Sequence, residues 1–329
     1  MYNQGRMEIM RTAFLFPGQG SQVVGMGKDI ADAYEVAAEV FEKANDIVGF
    51  DLRRVCFEGP EDKLDTTTMS QPAIYVTSVA ILEVIKANSA TVSIKPDVVA
   101  GLSLGEYTAL YAAGLISFED GLKLVQKRGQ AMQAAADNSK GGMVCIMGLD
   151  EDKVKKLCDE ASQGEPLTGV NFNCPGQIVI SGSLSACERA EGLAEKYGAM
   201  KAVKLAVAGA FHCEYMNPAA EQLSQALQQC EISNPSEIKV VANTDCQYYD
   251  NADDIKAGLV KQLTCPILWQ KCMEKLLAEG VEDYYEIGPG KVLTGLMRRI
   301  NRKTKVNNIS NLQALEKLLY PLRVVNGRE

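Results

Sequence analysis

The sequence predicts an α/β protein interrupted by a smaller α/β unit, and two stretches carry that reading. In the first, Asp97-Val98-Val99-Ala100 reads as a buried strand, Gly101-Leu102-Ser103-Leu104-Gly105 as a sharp turn, and Glu106 to Ala113 as the start of a helix. Strand, turn and helix around G-x-S-x-G make the setting of a nucleophile elbow, with Ser103 exposed at the strand end. Backbone N–H groups of the helix start would then lie close enough to hold an oxyanion. In the second stretch, strands and helices alternate β-α-β-α-β over about 70 residues, the size and order of a ferredoxin-like unit. That unit, 137–208, lies between Ser103 and His212, so it reads as an insertion in a large subdomain made of 1–136 and 209–329.

Composition narrows the function. The 329 residues are 47% hydrophobic, enough for one large domain with an insertion or for two domains. A formal charge of −8 argues against a nucleic-acid binder. The ten cysteines include no C-x-x-C pair and no Cys/His metal spacing, so no metal site is read. Scattered at this density, they fit reduced core thiols in a cytoplasmic protein. Met1 to Arg11 is polar, and the run Ala13-Phe14-Leu15-Phe16 is stopped by Pro17. No signal peptide and no membrane-spanning run are expected, and Met7 and Met10 leave the starting methionine open. The chain holds one histidine, His212. A serine needs a base to act as a nucleophile at neutral pH, and histidine is the usual one, so a histidine-activated Ser103 must use His212.

In chain order, Thr12 to Phe16 reads as the first strand and ends in Pro17-Gly18-Gln19-Gly20-Ser21-Gln22. A dinucleotide fingerprint fails there, because Val23 stands at its third glycine position. The glycines still let a backbone N–H approach a ligand. Ala31 to Ala44 and Ser78 to Ala87 look helical. Ser117-Phe118-Glu119-Asp120 opens a helix to about Ala136, with Arg128 beside its apolar stripe of Leu124, Val125 and Met132. Within the insert, strands are expected at Met143 to Met147, Gly176 to Gly182 and Ala202 to Val207, with helices at Glu151 to Ala161 and Ser185 to Tyr197. His212 falls in a loop. A helix over Pro218 to Cys230, a strand over Ile238 to Ala242 and a helix over Ala252 to Leu263 follow. The strand Tyr284-Tyr285-Glu286-Ile287 turns at Gly288-Pro289-Gly290-Lys291, which is not a Walker loop, since its first glycine would have to be Tyr285. The helix Val292 to Ile300 leads into a basic group, Arg298, Arg299, Arg302, Lys303 and Lys305.

Taken together, these motifs resemble the malonyl-CoA:acyl carrier protein transacylase family. Four agree in order: Phe16 to Gln22, Gly101-Leu102-Ser103-Leu104-Gly105-Glu106, Ala210-Phe211-His212, and Glu286-Ile287-Gly288-Pro289-Gly290. A fifth, Asn171-Phe172-Asn173 with Pro175-Gly176-Gln177, lies in the insert, and the likeness runs from about Thr12 to Ile300. The resemblance implies an α/β-hydrolase-like large subdomain with an inserted ferredoxin-like small subdomain. It implies Ser103 as acyl-accepting nucleophile, His212 as its base, and the Gln262 backbone carbonyl as the group that orients the histidine. The N–H groups of Gln19 and Leu104 would hold the oxyanion, Arg128 the malonate carboxylate, and Asn171 another part of the substrate. Malonyl-CoA and acyl carrier protein are the implied partners, with no cofactor, nucleic acid or membrane. Leu102 departs from the histidine of many relatives, and Ala210-Phe211 before His212 resembles the malonyl-selecting form. Rival readings are a free-standing acyltransferase of a polyketide synthase, a serine thioesterase or esterase, and a non-catalytic acyl-binding module.

Overall fold

The computed structural model describes residues 11–90, 94–235 and 237–320. The polar opening segment with Met7 and Met10 lies outside the described residues. The described residues begin with β1 (Arg11–Phe16), then α1 (Lys28–Ala33), α2 (Glu35–Val48), α3 (Leu52–Glu58), α4 (Glu61–Leu64) and α5 (Thr67–Ala87). The elbow follows as β2 (Val98–Gly101) and α6 (Gly105–Ala112), then α7 (Phe118–Asp137). Next come β3 (Gly141–Met147), α8 (Glu151–Ser162), β4 (Leu167–Cys174), β5 (Gln177–Ser183), α9 (Leu184–Leu193) and β6 (Lys201–Lys204). The return comprises α10 (Asn217–Gln228), β7 (Lys239–Val240), α11 (Ala252–Thr264), α12 (Trp269–Ala278), β8 (Val281–Ile287), α13 (Val292–Ile300), β9 (Val306–Ile309) and α14 (Leu312–Leu319).

The large sheet is parallel in the order β7-β2-β1-β8-β9. Its central strand alternates between two cores. Phe14 and Phe16 face the cluster built by α2, α5, α7 and α10, while Ala13 and Leu15 face Trp269, Met273 and Leu293 on the other side. A strand buried on both faces has no polar side, which is why β1 reads as an unbroken apolar run. Register sets the site: Phe16 pairs with Gly101, so the loop after β1 and the elbow after β2 leave the same sheet edge side by side.

The smaller sheet is antiparallel in the order β4-β5-β3-β6, with α8 and α9 packed on it around their own core. The order β-α-β-β-α-β corrects the β-α-β-α-β expectation by one strand. The missing strand, β4, reads Leu167-Thr168-Gly169-Val170-Asn171-Phe172-Asn173-Cys174. Glycine and asparagine are poor strand formers, and its register shifts twice against β5, so it lacks clean alternation. Where the chain enters and leaves this unit the two passes touch. A Cβ on Gly209 would lie 2.6 Å from that of Ala136, and one on Gly141 2.6 Å from that of Ala210.

Two helices also differ from expectation. Ala31 to Ala44 is broken at Tyr34, which is extended at φ −130° and ψ 116°. α5 begins eleven residues before Ser78 and runs through Pro72, which sequence patterning treats as a breaker. It is apolar enough by length and composition to cross a membrane, against expectation, yet 83% of its most apolar window is buried inside the fold, as in a core helix.

Candidate active site

The elbow works because its two glycines have no side chains. A Cβ on Gly101 would lie 1.9 Å from the Gly105 carbonyl carbon, and one on Gly105 2.1 Å from the Phe16 oxygen. Between them Ser103 sits at φ 51°, a left-handed conformation that costs a serine about 1–3 kcal/mol. Asn243 holds it there. Its Oδ1 accepts the Ser103 N–H at 2.7 Å and its Nδ2 donates to the Gly101 oxygen at 2.7 Å. Asn243 escaped sequence reading, although its place just past β7, at the carboxyl end of a parallel strand, is where functional side chains gather.

His212 reaches the serine from the loop after the insert, where it too has a positive φ, 58°. Its Nε2 lies 3.0 Å from Ser103 Oγ, and its Nδ1 lies 2.7 Å from the Gln262 backbone oxygen. A carbonyl only accepts, so Nδ1 carries the proton and Nε2 is left to accept the serine hydroxyl proton. Burial is the largest influence on the imidazole, followed by the Arg128 charge. Together they push His212 down to about 4 against the opposing Gln262 carbonyl bond. The ring is therefore neutral, and a competent base, at every pH well above that value. Acylation of Ser103 should hold as pH falls from 7 and decline with a midpoint near 4. Single-turnover rates against pH check this, and a midpoint at the ordinary 6.5 would contradict it.

Arg128, on α7, is 1% exposed and points into the same site. Its Nη2 donates to Ser103 Oγ and to Gln262 Oε1, both at 2.9 Å, and its Nη1 to Gln71 Oε1 at 2.8 Å. Nε, also buried, has no partner among the described residues. The Tyr107 ring centroid lies 5.6 Å from the guanidinium carbon. Ser103 Oγ thus accepts from the arginine while donating to the histidine.

The neighbouring loops complete a cavity of about 390 Å³. Gln19, Ser103, Arg128 and His212 line it from the loops and helix beside the large sheet, Asn171, Asn173, Gln177 and Val179 from the small sheet, and Val292 and Leu296 from α13. Gly18 runs tightly against the elbow, where a Cβ would meet the Leu102 oxygen at 2.3 Å and the Leu104 nitrogen at 3.8 Å. The N–H groups of Leu104, at the start of α6, and of Gln19, in the loop after β1, have no acceptor among the described residues, so both are free to donate. Asn171 is tied to the large body by backbone bonds, Ile267 N–H to the Val170 oxygen and Phe172 N–H to the Ile267 oxygen. The Glu286 motif buttresses the first loop. Its carboxylate accepts the N–H groups of Leu293 and Thr294 at 2.8 and 2.9 Å, capping α13. Gly288, at φ 140°, and Gly290 pack where any Cβ would strike Pro17 or Ser21.

Every residue assigned to the site from sequence therefore lies at one cavity or next to it. Asn243, Gln71, Glu106 and Tyr249, which surround those groups, were not assigned. A family model described as an acyl transferase domain matches residues 13–315. The chain is 43% identical over 314 residues to the malonyl CoA-acyl carrier protein transacylase of Haemophilus influenzae, covering 94% of this chain and 100% of that protein. A crystal structure of an acyl carrier protein S-malonyltransferase from Vibrio cholerae superposes with a TM-score of 0.89 at 41% identity, covering 94% of this chain and 99% of that one. A malonyl-transacylase solved in complex with its type II PKS acyl-carrier protein superposes at 0.90 and 40% identity, with 94% and 99% covered. On these matches and this geometry, the chain belongs to the malonyl CoA-acyl carrier protein transacylase family of acyl transferases.

Proposed function

We infer that the protein moves a malonyl group from malonyl-CoA to the pantetheine thiol of acyl carrier protein, through a malonyl ester on Ser103. The observation that carries this is the hydrogen-bonded line from Ser103 through His212 to the Gln262 carbonyl, with Arg128 against the same serine oxygen. His212 takes the serine proton as Oγ attacks the thioester carbonyl. The Gln19 and Leu104 N–H groups receive the developing oxyanion, at ~3 kcal/mol for each donor. Collapse expels the coenzyme A thiolate, which takes the proton from His212. The carrier thiol then repeats the sequence in reverse, giving ping-pong kinetics. Once Oγ is an ester oxygen it is a poorer acceptor, and Arg128 Nη2 is free to turn to the malonyl carboxylate. The protein's own groups meet every charge and proton need of this reaction, so we assign no cofactor, with malonyl-CoA a substrate. Mass spectrometry after exposure to malonyl-CoA tests the reading: a malonyl adduct on Ser103 is expected, and free acid without an adduct or carrier transfer would favour a hydrolase.

We place the enzyme in the cytoplasm, in type II fatty acid synthesis. All ten cysteines are free thiols and nine are buried. Supply of a polyketide carrier is the second reading, favoured by the likeness to the transacylase solved with its type II PKS carrier protein. For either carrier we assign docking to Arg298, Arg299, Arg302, Lys303 and Lys305. All five are exposed, and Arg299 Nη2 reaches the Pro175 oxygen at 3.4 Å, beside the cavity lined by Val292 and Leu296. Reversing Arg302 and Lys303 to glutamate should raise KM for the carrier about tenfold and leave malonyl loading unchanged. Equal effects on both half-reactions would remove these residues from the docking surface.

A further inference from the structure

The carboxylate of Glu106 is the largest unexplained feature near the serine. It sits in the first turn of α6, is wholly buried, and contacts neither Ser103 Oγ nor His212. One oxygen accepts the Tyr249 hydroxyl; the other accepts Gln262 Nε2 at 2.5 Å. That amide nitrogen also donates to the Ser103 backbone oxygen at 2.9 Å, while the amide oxygen accepts Arg128 Nη2. Gln262 therefore touches the site on every side, since its backbone oxygen also orients His212.

The two ends of a glutamine amide have nearly the same shape, so its partners decide which way round it sits. With the Tyr249 hydroxyl donating to one carboxyl oxygen, the other oxygen faces Gln262 as an acceptor, so it requires the NH₂ end of the amide. With the amide reversed, its NH₂ would face the guanidinium donor to donor, and Arg128 Nη2 would lose its anchor. The spacing matters as well. A carboxylate bonded directly to Arg128 would occupy the donors that a substrate carboxylate needs. The interposed neutral amide takes one Nη2 hydrogen, and leaves for a substrate the Nη2 hydrogen now on Ser103 Oγ and the unpartnered Nε. Burial raises Glu106 to about 7 and lowers Arg128, and each opposes that shift by favouring the other's charged form.

We propose that Glu106 is a positioning residue for acyl-group choice: it fixes the orientation of the Gln262 amide, and the amide aims Arg128 at the place of the malonyl carboxylate. This rests on the malonyl-transfer reading above. Two conservative substitutions separate reach from charge. Glu106→Gln keeps the length and can still turn an oxygen to Gln262 Nε2 while its NH₂ meets the Tyr249 oxygen. Glu106→Asp keeps the charge but withdraws it by one methylene. The measurement is kcat/KM for malonyl-CoA over acetyl-CoA, from the rate of the Ser103 adduct, in wild type and both variants, with folding checked by thermal melting. The Gln variant should stay within about threefold of the wild-type ratio, and the Asp variant should lose at least about tenfold, mainly through KM for malonyl-CoA. An Asp variant at or above the Gln variant would mean that charge, not orientation, matters, and would overturn the proposal. Equal loss for both substrates in both variants would reduce Glu106 to a structural residue and overturn it too. Should wild-type protein form no malonyl adduct, the functional reading itself fails, which the wild-type arm reveals separately.

Discussion

Ser103→Ala should form no covalent malonyl adduct at all, because the variant has no oxygen at the only position His212 and the two free N–H groups serve together. His212→Ala should still form the adduct, but about three to six orders of magnitude more slowly. The hydroxyl would lose the one neutral base within reach, and the chain has no second histidine to substitute. The carbonyl of Gln262 cannot take over, since it lies on the far side of the imidazole and is not basic. Intact-protein mass spectrometry with time resolves both variants. A full adduct on Ser103→Ala protein would place the nucleophile elsewhere. Unchanged kinetics in His212→Ala would show that the 3.0 Å contact has no part in the chemistry.

Arg128→Ala should lose malonyl transfer while acetyl transfer holds or improves. The two acyl groups differ by one carboxylate, and a carboxylate leaving water for a buried site needs a compensating partner. The guanidinium is the cation found on the serine oxygen, and its planar fork matches both oxygens of a carboxylate. A charge-assisted contact of this kind contributes ~1.5–3 kcal/mol, one to two decades in preference, and more when water is excluded. Arg128→Lys should recover part of the ratio, since a point charge restores attraction without the paired contact. Truncation also leaves the side-chain oxygens of Gln71 and Gln262 without their donor, so the melting temperature should fall in both variants. The diagnostic quantity is the ratio of kcat/KM for malonyl-CoA to that for acetyl-CoA. If that ratio were unchanged in folded Arg128→Ala protein, the arginine would be a structural residue.

Much of this was legible in the chain because it depends on local geometry. The elbow could be read from two glycines and a β-branched run, since only that combination allows strand, turn and helix to pass so closely. The base followed from there being one histidine. What stayed hidden is held by tertiary contacts that leave no periodic trace. Asn243, Gln71 and Tyr249 are polar side chains whose role is to satisfy a neighbour's donor or acceptor, and no spacing rule marks such a residue. Glu106 stood inside a recognised motif, yet its function lies with Gln262, far along the chain. β4 was missed because its asparagines face the cavity, where strand propensity gave way to lining the site. The first half of α5 was missed because a proline weighs heavily in a local reading and little in a helix buried on all sides.

The contact between the two passes of chain at Ala136 and Gly209, and at Gly141 and Ala210, has a consequence for how such proteins diversify. Everything between them leaves the large body and returns to the same spot. A recombination event at that junction would exchange Asn171, Asn173, Gln177 and Val179 as a block, and would leave Ser103, His212, Arg128 and Gln262 untouched. The insert's share of the cavity wall is therefore heritable apart from the serine chemistry, even though the two face each other across one cavity.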